Sequence, residues 1–373
     1  MSKLTIGIVT INDYTNYGNR LQNYALTKLL EMNGCKVVNS IQVHTKEDWC
    51  KITNNPIKRL LKHCVPFPII KNRIYSSKKI DDALLLKRQE TFKDFMLRYM
   101  QIIDPVIVTT NSAARRALKK YNIDYYIVGS DQVWNPYYEG KAYEFLTFVP
   151  KDRRLSFAAS IGASAIPEEK KKQYRKNLLD MNYLSVRELQ AAEIIENLTG
   201  RKADVTLDPT LLLEREEWEK IVQIPNLKLE EKYICAYFLG EIPDAVNKFV
   251  KEKNLKVYYL NLEREPELFV LNPAEFLYMI KNASLVLTDS FHAVAISIKF
   301  HREFYVFDRQ QTGVNNMFTR IESITRLLGL EDRIQSRKEI IEKRRIGNWG
   351  EIDKTLDLGR ENSIGKLLQI IRK

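Results

Sequence analysis

The 373-residue sequence is poor in the residues from which most metal and redox sites are built, with four cysteines and four histidines. Cys35, Cys50, Cys64 and Cys235 form no CxxC pair, so they read as free thiols of a reducing compartment rather than zinc ligands or a disulfide framework. His44, His63, His292 and His301 are scattered without an HExxH or His-x-His arrangement, so no metal site is expected. A GxGxxG fingerprint is missing, which removes the usual dinucleotide signature. No run approaches the ~18 apolar residues of a spanning helix. Nor is there a cationic leader: the chain enters a strand-like pattern at once, and a cytoplasmic protein is expected. Internal repeats and low-complexity segments are absent.

What is present describes an ordinary globular protein, with 45% hydrophobic and 28% charged residues. Its length exceeds the single-core limit of about 250–300 residues, so two domains are expected. The net charge of +12 is uneven. Residues 51–80 hold Lys51, Lys58, Arg59, Lys62, Lys71, Arg73, Lys78 and Lys79 with no Asp or Glu, interleaved with Ile57, Leu60, Leu61, Val65, Phe67, Ile69 and Ile70. Such a segment suits an anionic membrane face, and suits a solvated connector as well. No nucleic-acid motif accompanies the charge, so nucleic acid is not an expected partner.

Apolar periodicity outlines the architecture. A β-branched run over 4–11 is followed by a helix over 19–33, where Leu21, Ala25, Leu29 and Met32 share a face, and by a second strand over 36–43. Strand, helix and strand in that order open a parallel α/β domain. Alternation resumes after a charged helix near 81–100, with strands over 124–131, 154–162, 183–189 and 205–213. A second set runs from 232 through a helix from Asp244, a strand over 256–262, a helix from Asn272, strands over 285–290 and 303–308, and a helix over 316–328. Two α/β units separated by the acidic stretch 214–231 make a bilobal chain.

Ligands of open α/β sheets collect at the carboxyl ends of strands, so strand-ending polar residues are the candidates for a site. In "LVLTDSFHAVAISIKF", residues 285–300, Asp289 and Ser290 stand at a strand end where either could cap the next helix, and His292 falls in its first turn. That helix N-terminus favours a bound anion, while core packing is the plainer account of a lone histidine. Arg187, at the end of "YLSVR", suits a carboxylate or phosphate, or an ordinary surface ion pair. Asn316 and Arg320 are four apart and share a helix face. In "VGSDQVWN", Asp131, Gln132, Trp134 and Asn135 make a polar, aromatic loop of a kind that grips sugars, the indole stacking on a pyranose.

Six motifs in order, "NYGNRLQNYAL" (16–26), "VGSDQVWN" (128–135), "FAASIG" (157–162), "LSVRE" (184–188), "LDPTLLL" (207–213) and "TDSFHAVAISI" (288–298), resemble the polysaccharide pyruvyl transferase family over roughly residues 7–333. The resemblance implies an α/β fold of two Rossmann-like lobes, similar to B-type glycosyltransferases, with the active site in the cleft between lobes. It implies an acceptor-side lobe over 1–213, a linker over 214–231, a donor-side lobe over 232–345, and a helical segment over 346–373 that packs back on the first lobe.

The implied reaction moves pyruvate from phosphoenolpyruvate onto two hydroxyls of a surface-polysaccharide or lipid-linked sugar, giving a cyclic ketal and phosphate. No cofactor is implied beyond that donor substrate. By matching motif, His292 and Arg187 are the catalytic residues. Ser290, Phe291, Asn316 and Arg320 line the donor, and Asn19, Gln22, Asp131 and Trp134 line the acceptor. The chain departs from the family's pattern at Ser290, where better-known members have an arginine; Arg320 or Arg309 could supply that charge. A nucleotide-sugar glycosyltransferase and a catalytically idle sugar-binding homologue are the competing readings, since one fold hosts many functions.

Overall fold

The computed structural model describes residues 3–39, 41–45, 82–108, 110–138, 142–309 and 318–372. Contacts divide the chain into two units, one of residues 1–79, 96–209 and 359–373, the other of 80–95 and 210–358. The basic segment 51–80, Asn316 and the beginning of the helix expected over 316–328 lie outside the described residues.

The first unit is built on the strands β1 (Thr5–Val9), β2 (Lys36–Val38), β3 (Val43–Thr45), β4 (Val106–Val108), β5 (Tyr125–Val128), β6 (Arg154–Ser156), β7 (Ser185–Val186) and β8 (Asp204–Val205). Its main sheet has the order β2-β1-β5-β6, all parallel. Single bridges from Leu155 to Tyr183 and from Ala159 to Val186 carry it on to the parallel pair β7-β8. Parallel strands need covered crossovers, and the helices Tyr17–Met32, Glu168–Leu179 and Leu189–Thr199 supply them. All five residues of β1 are buried, as a sheet covered on both faces requires.

The second unit repeats the plan. Strands β9 (Tyr233–Tyr237), β10 (Lys256–Tyr259), β11 (Leu285–Thr288), β12 (Phe304–Phe307) and β13 (Ile334–Gln335) order as β10-β9-β11-β12-β13, again all parallel. In each unit the chain goes first to one side of its opening strand and then to the other. That reversal makes a switch point, between β1 and β5 in one unit and between β9 and β11 in the other, where the loops part and a crevice opens.

Several strands are shorter than the apolar runs that foretold them. The run over 36–43 breaks because wholly buried Asn39 turns its amide to the Thr27 hydroxyl and Ile41 returns its N–H to the Ile8 carbonyl (3.0 Å). The run over 154–162 breaks from regular strand pairing at Ala158, whose φ is +49°, and keeps only single bridges at Ala159. The acidic stretch 214–231 contains a helix, Arg215–Glu219, whose Trp218 is wholly buried in the second unit. The last helix is long, Trp349–Ile371, and near its end Lys366 pairs with Asp204 (2.7 Å) and Arg372 donates to the Asn33 carbonyl (2.8 Å) within the first unit.

Candidate functional site

In the first unit the switch point is held by polar side chains from the helix Tyr17–Met32. This helix is buried almost all round at its start, polar residues included, because Asn16 caps it and its first turns lie over the ends of β1 and β5. Gln22, wholly buried, straps those two ends together. Its amide donates to the Thr10 hydroxyl (3.1 Å) and the Asn19 carbonyl (2.9 Å), and its oxygen accepts the Ser130 N–H (3.1 Å). Asn19 donates to the Asp131 carboxylate (2.9 Å) and accepts the Asp13 N–H (2.9 Å). Gly129, at φ +126°, is required here: a Cβ would lie 2.2 Å from the Phe157 carbonyl oxygen.

Arg187 reaches the same edge from the end of β7. It is ion-paired to the wholly buried Asp208 carboxylate, with Glu188 (3.5 Å) and Asp131 (4.0 Å) as further acidic neighbours. Burial opposes its charge, but Asp208, Glu188 and Asp131 outweigh that and hold the guanidinium pKa above its usual value. Ser130 donates to the same Asp208 carboxylate (2.7 Å). Asn19, Gln22, Asp131 and Arg187 are thus brought together.

Trp134 is not among them. The indole, 1% exposed, lies flat on Phe145, with centroids 5.5 Å apart and planes at 5°, and donates its N–H to the Glu144 carbonyl (3.0 Å). Its expected place against a sugar is therefore corrected to a core position, since the ring face that would stack is already covered.

Arg20 was not singled out by the sequence. Wholly buried, it donates to the Asn12 side chain (3.0 Å), the Ile11 carbonyl (2.5 Å) and the Asn19 side chain, and lies over the Tyr14 ring (5.2 Å). Burial pulls its pKa down, against the pull of Tyr14, Asp13 and Asp131. The signal was there: it is the only charged residue between Tyr17 and Thr27, on a stretch otherwise of polar amides and apolar side chains.

In the second unit β11 ends at Thr288, whose hydroxyl donates to the Tyr237 carbonyl (2.6 Å) and accepts the Ser290 N–H (3.0 Å). The helix Phe291–Lys299 follows, with Ser290 at its N-cap position and no side-chain cap bond. Capping by Asp289 or Ser290, expected from the sequence, does not occur. Asp289 faces the end of β9 instead, accepting the Leu239 and Gly240 N–H groups (both 2.8 Å) and the Arg309 Nε–H (3.0 Å). A helix N-terminus at a switch point is a setting for an anion.

His292 lies in that first turn, 7% exposed, edge-on to Phe291 (5.3 Å, 87°), over which Arg320 sits at 5.9 Å. Ser290, Phe291, His292, Arg309 and Arg320 therefore gather at one sheet edge. Arg187 and His292, both read as catalytic, belong to different units. Among the described residues no three His, Cys, Asp or Glu side chains group as a metal ion would require, and no helix is long and apolar enough to cross a membrane.

Comparison with solved structures finds overall likeness at low identity. A UDP-N-acetylglucosamine 2-epimerase from Rickettsia bellii is 9% identical with a TM-score of 0.49, over 100% of this chain and 96% of that one. A UDP-GlcNAc 2-epimerase from Neisseria meningitidis is 9% identical at 0.44, over 99% and 100%. A glycosyltransferase from Streptomyces nogalater is 10% identical at 0.43, over 100% of both chains. No curated protein matches the sequence. The family model for polysaccharide pyruvyl transferase matches residues 16–311, a span that takes in Asn19, Gln22, Asp131, Arg187, His292 and Arg309, and the chain belongs to that family.

Proposed function

We propose that the protein transfers a pyruvate unit from phosphoenolpyruvate onto two hydroxyls of one sugar in a surface glycan or its lipid-linked precursor, forming a cyclic ketal and releasing phosphate. The observation that carries the proposal is His292 in the first turn of the helix that opens at the switch point of the second sheet, in a chain of this family. A donor with a carboxylate and a phosphate needs positive potential, which a helix N-terminus and arginines provide. An imidazole can both give and take a proton, as the chemistry requires.

In this mechanism the donor's methylene carbon takes a proton and becomes a methyl group, while one sugar hydroxyl attacks the oxocarbenium-like carbon next to it. Phosphate then leaves, and the second hydroxyl closes the ring. The protons balance: of the two hydroxyl protons, one offsets that taken by carbon and the other leaves with phosphate. His292 is the acid and base, and Phe291, Ser290 and Arg320 line the donor with it. Asn19, Gln22 and Asp131 belong to the acceptor edge, where the Asp131 carboxylate can accept a hydrogen bond from a sugar hydroxyl. No cofactor takes part.

From the sequence alone, the basic segment 51–80 is assigned to contact with an anionic membrane surface or an acidic acceptor, placing a cytoplasmic enzyme at the inner face of the membrane. Incubation with phosphoenolpyruvate and a panel of hexosides, followed by mass analysis, tests the reaction. Turnover of a nucleotide sugar instead would favour the glycosyltransferase reading.

A further inference from the structure

We infer that Arg309 is the residue of the second unit that grips the anionic donor, and that Asp289 and Gly240 set its position. The inference rests on the proposed reaction, whose donor carries two anionic groups, and names the group that would recognise them. Ser290, at the N-cap of the His292 helix, brings no charge to that end of the sheet. Arg309 follows β12 and crosses toward the same point. Its Nε–H donates to the Asp289 carboxylate (3.0 Å), and its Nη2 donates to the Asp289 main-chain carbonyl (3.0 Å) and more weakly to the carboxylate (3.4 Å). The guanidinium therefore lies beside the peptide that joins Asp289 to Ser290, at the start of the helix bearing His292.

A guanidinium has five N–H donors in a planar fork. The Nε and Nη2 edge is committed to Asp289, whereas the Nη1 amino group has no hydrogen-bond partner among the described residues. The side chain is 16% exposed, so it is fixed without being sealed away.

Its path depends on Gly240. A Cβ there would meet the Arg309 Cγ at 2.8 Å and the Asp289 Oδ2 at 3.1 Å. Asp289 is itself anchored by two main-chain N–H groups of the β9 loop, so the arginine is aimed before any ligand arrives. The Asp289 and Arg309 charges cancel formally. What Arg309 adds is a directed pair of donors, beside the helix N-terminus and the separate charge of Arg320. Arg320 rests on the Phe291 ring at 5.9 Å and is the obvious competitor for the role.

The test compares wild type, Arg309→Gln, Arg309→Lys and Arg320→Gln by thermal shift with phosphoenolpyruvate and, separately, inorganic phosphate, and by steady-state kinetics. Arg309→Gln should keep the ligand-free melting temperature within a few degrees, lose the shift with phosphoenolpyruvate, and raise its KM on the order of 10- to 100-fold, the range for a lost hydrogen bond to a charged group. The acceptor KM should stay unchanged. Arg309→Lys should recover only part, because a point charge replaces a fork. An unchanged donor KM in Arg309→Gln, or a donor defect found only in Arg320→Gln, overturns the inference alone. A wild type that phosphoenolpyruvate does not stabilise and that forms no ketal removes the proposed reaction, and this inference falls with it.

Discussion

Arg187 and Asp208 form an ion pair sealed at the carboxyl edge of the first sheet, with side chains 3% and 0% exposed. The same carboxylate accepts the Ser130 hydroxyl (2.7 Å), so one acid ties the end of β7 to the turn after β5. A group read from the sequence as a ligand fork is thereby also a structural anchor. Removing one member of a buried pair leaves the other charge uncompensated, which costs about 3–5 kcal/mol. Arg187→Met should therefore lower the denaturation midpoint sharply, and Arg187→Met with Asp208→Leu should lower it by less than the two single changes added together. Additive losses, measured by urea unfolding, would show that the pair is not coupled.

Trp134→Ala should act through the core. It removes an indole stacked on Phe145 and deletes the hydrogen bond to the Glu144 carbonyl, for about 3–5 kcal/mol of stability. In the fraction that remains folded at low temperature, the KM for the sugar acceptor should match wild type. An acceptor KM raised tenfold without loss of stability would return Trp134 to the acceptor site.

The contrast between Trp134 and His292 shows what the sequence could convey. The places of the strands along the chain and the polar residues at their ends were legible, because a sheet covered on both faces leaves apolar runs that stop where the chain reaches the edge. "TDSFH" and "VGSD" were therefore located correctly as edges. Which way a side chain turns there depends on distant partners. Trp134 faces inward because Phe145 and Tyr174 meet to receive it, the latter donating to the Trp134 carbonyl (3.0 Å). Asp289 turns from the helix it precedes because two N–H groups fifty residues back need an acceptor. The role of Arg20 likewise depends on partners, Asn12 and Met96, that lie on separate segments.

His292→Gln should preserve most of the packing of a residue 7% exposed, where His292→Ala would leave a void, and is the cleaner variant. Its melting temperature should stay close to wild type while turnover falls by about two to four orders of magnitude, the range for a lost acid–base group. A variant that melts several degrees lower yet turns over normally would make the histidine core packing and nothing more.

Stability should fall in strong alkali. Burial pushes the Tyr126 hydroxyl up to about 12, with Arg153 pulling the other way, and burial also raises Tyr174, Tyr183 and Tyr233. A group whose folded-state pKa is raised contributes fully below its unfolded pKa, and that contribution is lost as pH climbs through the folded value. The denaturation midpoint should therefore be insensitive to these tyrosines up to about pH 10 and drop from there toward pH 12. Tyr126→Phe, which keeps the ring against Phe148, should drop less steeply. An identical alkaline slope in both proteins would show that Tyr126 is not one of the groups responsible.

The most direct test of the central claim is the mass of a hexoside after incubation with this protein and phosphoenolpyruvate. A pyruvyl ketal predicts an increment of one pyruvate less one water and one phosphate released per product, with both formed about two to four orders of magnitude more slowly by His292→Gln. An unmodified hexoside across the panel, with transfer from a nucleotide sugar under the same conditions, would contradict the account.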